Sequence, residues 1–261
     1  MASAAEAQGL PVLYNDLVPL SKNDHAAWKM RPMESLSLLS KTHAVPLTVD
    51  EFGLALRHYP IVFSSGSEPI PLALMGLNEG ANVFVSKDGQ LTPNTIYVPA
   101  YVRRYPFMLA RLRPDSDEMS LCFDPSSGLL GEFEDGAALF GEDGEPTQQT
   151  KDTLAFCEQF EMAGQRTNQF ARELAESGLL EEGEVSITHE KAPQPYIYRG
   201  FQMVNEEKLR DLRGDQLRKM NQNGMLTLIH AHLFSLSLVT DIFNRQMEQG
   251  KVPPQFSITG G

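Results

Sequence analysis

The sequence predicts an α+β fold: a mainly antiparallel sheet with hairpins in the N-terminal half, packed by helices from the C-terminal half. Three observations carry this expectation. Between residues 60 and 123, short apolar runs alternate with Gly and Asp-Gly turn signals, the pattern of hairpin strands. Between residues 150 and 247, apolar residues recur at three- and four-residue steps, the period of amphipathic helices. With 261 residues, 41% of them hydrophobic, the chain can bury a sizeable core. The division expected is a disordered start over 1–13, a single domain over 14–247 and a flexible tail over 248–261.

In chain order, Ser21 with Asp24 marks the start of a helical turn leading to His25, and the lone Trp28 follows. A single His with no second ligand nearby reads as structural. Thr48, with Glu51 three residues on, forms a capping-box pattern for a helix that ends before Tyr59-Pro60. Ile61-Val-Phe63 reads as a strand. Leu72–Leu77 and Ala81–Val85 read as a hairpin around Asn78-Glu79-Gly80, sharing one sheet with Phe107–Leu112. Pro99 opens a short helix that Pro106 prevents from continuing. Phe107–Leu112 and Met119–Phe123 then form a hairpin around Pro114–Asp117. Residues 124–150 are Gly-rich and acidic. They lack the ligand order of an EF-hand, so the segment reads as a solvated loop.

Thr150 to Ser177 is the clearest amphipathic helix, with a break expected near Gly164. Tyr196 to Val204 reads as one aromatic strand, and Asn205 as the cap of the helix after it. A second short helix ends at Asn223-Gly224. Met225 to Met247 is the most apolar helix, but His230, His232, Ser235, Asp241 and Arg245 interrupt it, so it reads as a core helix rather than a membrane span.

Composition bears on partners. A formal net charge of −12 argues against general nucleic-acid binding and against an anionic membrane surface. Cys122 and Cys157 lie among apolar neighbours and are expected as free, buried thiols. The N-terminus lacks the basic and apolar regions of a signal peptide, so a cytoplasmic location is expected.

Motifs that carry chemistry are few. No Gly-x-Gly-x-x-Gly, Walker loop or Gly-x-Ser-x-Gly occurs, and the sequence calls for no cofactor and no metal. His230-Ala-His232 is the tempting pair. On a helix, residues two apart diverge by about 200°, so they cannot grip one metal from one face. The more informative cluster is Tyr101, Arg103, Arg104 and Tyr105, where guanidinium forks beside aromatic faces suit a carboxylate. Adjacent helical residues diverge by about 100°, so one arginine is expected to turn inward to a structural carboxylate and the other to face a groove. Tyr196 and Tyr198, on the aromatic strand, complete the candidate binding residues. The ligand expected is a peptide, a protein or a small carboxylate, and the oligomeric state stays open. The alternative is an enzyme with a site around His230 and His232.

Several stretches together resemble the SapC family, which takes its name from a surface-layer-associated locus. They are Val18-Pro-Leu20 with His25, Val45-Pro-Leu47 with Glu51-Phe52, and Tyr59-Pro-Ile-Val-Phe63. Further on come Gly76-Leu77 with Asn82–Val85, Val98-Pro-Ala-Tyr-Val-Arg-Arg-Tyr-Pro-Phe107, Gly200–Glu206, and Leu226 to Leu236. The resemblance covers roughly residues 14 to 245. It implies a bacterial cytoplasmic accessory or binding protein associated with surface-layer or outer-membrane uptake systems, and it supplies no catalytic residues. Family members often carry Asp where this chain has Asn205; both cap helices.

Overall fold

The structure, a computed structural model, describes residues 10–93, 96–113, 115, 117–190 and 194–252. The strands in chain order are β1 (Val18–Pro19), β2 (Lys29–Met30), β3 (Ala44–Pro46), β4 (Ile61–Ser64), β5 (Pro71–Leu74), β6 (Phe107–Arg111), β7 (Met119–Phe123), β8 (Leu130–Gly131), β9 (Ala137–Ala138), β10 (Leu180–Glu182), β11 (Val185–Ile187), β12 (Tyr196–Tyr198) and β13 (Phe201–Val204). The helices are α1 (Lys22–His25), α2 (Phe52–Ala55), α3 (Ala100–Arg103), α4 (Gln148–Glu176), α5 (Glu206–Arg210), α6 (Gly214–Gln222), α7 (Met225–Ser235) and α8 (Val239–Glu248). Helices and antiparallel sheets coexist, as an α+β fold requires. The segment expected as one domain groups into two compact units, residues 1–34 with 101–162, and residues 35–100 with 163–261. The division falls inside α3 and α4.

In the first unit, β6 and β7 form the expected hairpin in a continuous register from Phe107–Phe123 to Arg111–Met119. Its turn at Pro114–Asp117 lies partly outside the described residues. The short β1 adds to the far side of β7. Beneath lie Phe107, Leu109, Phe123, Leu130, Leu139, Phe140 and Cys157, the apolar core that this unit buries. His25 is buried here. It accepts a hydrogen bond from Ser21 N at Nδ1 and meets Trp28 and Phe123 edge-on at 4.5 and 5.2 Å. Both cysteines are free and buried. The start of the chain expected as disordered lies outside the described residues up to position 9, but Val12 is tied down, its carbonyl accepting from Tyr101 OH at 2.6 Å.

The second unit is built on an antiparallel sheet of order β10-β13-β4-β5-β3. Two expectations fail here. Phe107–Leu112 does not join this sheet, because among the described residues β6 pairs only with β7. Ala81–Val85 is not a strand, and β5 pairs with β3 and β4 instead. The cause is Asn82, buried, whose Oδ1 accepts from Phe84 N and Val85 N while its Nδ2 donates to Leu39 O and Thr42 O. Such side-chain bonds satisfy the backbone without a ladder. Gly76 enables the tight approach: a Cβ there would sit 2.1 Å from Ala81 O.

Tyr196 to Val204 is two strands rather than one. Gly200, at φ +95°, turns the chain between β12, which pairs with β11, and β13, which pairs with β4 and β10. Helix α4 runs 29 residues without a break, since Gly164 meets nothing within 4 Å and costs only its helix propensity. Asn205 caps α5, its Oδ1 accepting from Lys208 N at 2.8 Å.

The stretch Met225–Glu248 is long and apolar enough to cross a membrane by length and composition alone, with a mean hydropathy of 1.5. It is interrupted by a 3-10 turn at Leu236–Leu238. Ser235 and Ser237 donate back to His232 O and Phe234 O, the kind of bond that bends helices. The tail expected to be flexible from 248 is held through residue 251. Gln249 donates to Val83 O and Lys251 N to Gln246 O.

Candidate functional site

Two prolines and a helical turn position the arginine corner. Pro99 precedes α3, and Tyr105-Pro106 ends it and releases the chain into β6. Arg104 turns into the first unit and is only 6% exposed. Its guanidinium carbon lies 4.1 Å from the Phe160 ring centre, 4.8 Å from Tyr101 and 5.8 Å from Tyr14, with Nη1 3.3 Å from Glu161 Oε1. Its Nε is buried without a hydrogen-bond partner among the described residues. Burial raises the Tyr14 hydroxyl and pushes the Cys157 thiol up to about 11, while the Arg104 charge acts against both shifts. Tyr101 is raised by burial and held back by the charge and hydrogen bond of Arg104. Tyr105 stands edge-on to Tyr14 at 5.3 Å. Burial and then the neighbouring Asp124 carboxylate push its hydroxyl up to about 12. Arg103 is exposed, its guanidinium 5.1 Å from the Phe156 ring centre. Arg104 is therefore part of the core, whereas Arg103 is exposed.

Tyr196 and Tyr198 lie in the second unit, so the six candidate residues divide four and two. Both tyrosines pack on Phe243, with ring centres 5.0 and 6.4 Å away. The Tyr198 hydroxyl is buried with no partner among the described residues, and burial pushes it up to about 12.

The histidines part company as their spacing requires. His230 is partly exposed and stacks on the exposed Phe234 at 5.9 Å. His232 is fully buried between two strands. Leu74 N bonds Pro60 O and Asn205 N bonds Leu179 O, so strand alternation turns the polar groups of Ile61 and Val204 toward each other's strand. β4 and β13 pair directly only at Phe201–Ser64 and Gln202–Phe63. Beyond that, His232 fills the gap: Val204 N donates to Nε2 at 3.1 Å, and Nδ1 donates to Ile61 O at 2.6 Å. Ser235 Oγ accepts from Ile61 N at 2.8 Å. One imidazole thus bridges the opened ladder in its neutral Nδ1–H form. Burial lowers its pKa to about 4, although the Ile61 carbonyl favours the charged ring.

Residues 20–242 match the family model described as SapC. The chain belongs to the SapC family. No curated protein and no solved structure matches it. Within the SapC span, Glu51 is a further buried polar group, a carboxylate that joins separate segments of the chain. Its Oε2 accepts from Thr48 N and Oγ1, and its Oε1 from Tyr97 OH and Ala100 N. The capping-box pattern pointed to half of this arrangement. Nothing in the sequence marked the links to Tyr97 and Ala100, forty-six and forty-nine positions away. Among the described residues, no group of three or more His, Cys, Asp or Glu could hold a metal.

Proposed function

We propose that this SapC-family protein is a cytoplasmic binding or accessory protein serving bacterial surface-layer or outer-membrane uptake systems, and that it acts by holding a carboxylate-bearing ligand such as a peptide. The observation that carries this reading over an enzyme is His232. Both of its ring nitrogens are committed to strand backbone, so the sequence's best catalytic candidate serves the sheet. Support for the ligand class comes from Arg103, an exposed guanidinium on an aromatic face, a geometry suited to carboxylates. Family membership supports the accessory role. The test is titration of the protein with short peptides carrying a free C-terminus, using wild type and Arg103→Ala. The reading expects saturable binding that weakens in the variant while it still unfolds cooperatively. Identical binding by both proteins removes Arg103 from the site, and absence of binding by either removes the carboxylate ligand.

A further inference from the structure

The second unit holds a groove of about 530 Å³ that the arginine corner does not account for. One wall is the turn between β4 and β5, where Ser67, Glu68, Pro69 and Ile70 follow Gly66 at φ +113°. The turn is closed at its base, with Ser64 N donating to Ile70 O and Ile70 N to Ser64 Oγ. The other wall is one face of α4, where Asn168, Ala171, Arg172, Ala175 and Glu176 recur at helical spacing. The volume lies in the range of small-ligand sites.

The charges in this groove, Arg172, Glu68 and Glu176, have no ion-pair partner among the described residues, although Arg172 and Glu176 are one helical turn apart. On the same helix, by contrast, the Arg166 guanidinium grips Asp50 through two nitrogens. The same groove is lined by Pro69, Ile70, Ala171 and Ala175, and Ile70 is half exposed. A dianionic ligand meets repulsion from two glutamates, and a purely cationic one leaves Arg172 unmatched. A ligand with one carboxylate, one ammonium and an apolar body matches every wall.

We infer that this groove binds a short apolar peptide as its zwitterion. The C-terminal carboxylate sits on Arg172, the N-terminal ammonium between Glu68 and Glu176, and the side chains on Ile70 and the α4 alanines. The site uses different residues from Arg103 and goes beyond the reading given above.

The experiment uses the full chain, with leucyl-leucine as probe, followed by amide NMR and calorimetric titration. N-acetyl-leucyl-leucine and leucyl-leucine amide each lack one charge. The expected result is chemical-shift change at Ser67, Glu68 and Arg172 with free leucyl-leucine, and affinity at least about tenfold weaker with either blocked form, roughly the value of one charge-assisted hydrogen bond. Arg172→Gln should weaken the free dipeptide to the level of the amide while leaving the affinity of the amide itself unchanged. Glu68→Gln with Glu176→Gln should do the same toward the acetylated form. Equal affinity for all three probes, or no shift in the groove at millimolar dipeptide, overturns the inference. If Arg103→Ala abolishes binding and Arg172→Gln does not, the groove falls while the carboxylate reading at Arg103 stands.

Discussion

Arg103 and Arg104 differ by one position and meet opposite environments, and their substitutions should separate accordingly. Arg104 is enclosed by Phe160, Tyr101 and Tyr14, whereas the side chain of its carboxylate partner Glu161 is 40% exposed. Removing Arg104 leaves Glu161 able to hydrate, so the loss is chiefly of packing, on the order of 3 kcal/mol for Arg104→Ala. Because Arg104 Nε is buried with no partner among the described residues, Arg104→Met should lose clearly less than Arg104→Ala. Thermal and urea unfolding of the two variants checks this ordering. The cysteines belong to the same scale. Burial raises both thiols, so native protein should react slowly with a thiol reagent, while denatured, unreduced protein should yield two free groups. A yield of none would mean a disulfide.

At the scale of elements, legibility followed locality. The β6–β7 hairpin, the Asn205 cap and α4 could be read from period and capping residues, because neighbours in sequence decide them. Ala81–Val85 departs from the strand its apolar alternation predicts because Asn82 overrides that alternation, through partners Leu39 and Thr42 about forty positions away. The single strand over 196–204 failed on Gly200, which permits a turn without demanding one. Of the candidate site, the inward and outward turning of the two arginines followed from helical geometry. The role of His232 did not, since no local pattern says that two strands part beside it. Glu51 makes a prediction at this scale, because it joins the start of α2 to the approach to α3. Glu51→Gln places a donor where at least one of four converging donors needs an acceptor. The expected cost is about 2–3 kcal/mol in chemical denaturation.

Across the whole molecule, the histidine that best resembled a reagent is a strut of the main sheet, and acid stability should record it. The ordinary His pKa is 6.5, and that of His232 in the fold is about 4. Between these values the unfolded chain binds the extra proton, so stability rises with pH through this window. The contribution is fully present above pH 6.5 and is lost as pH falls toward 4, by about 3 kcal/mol. In His232→Asn the slope from this group should vanish, on a lower plateau. The most direct measurement of the central claim, that the fold and not a reaction occupies this ring, is a nitrogen-15 NMR titration of the His232 imidazole in wild type. The account predicts a neutral Nδ1–H tautomer down to pH 5, with protonation only near pH 4. An Nε2–H tautomer, or titration near pH 6.5, would contradict it and return His232 to the list of reactive groups.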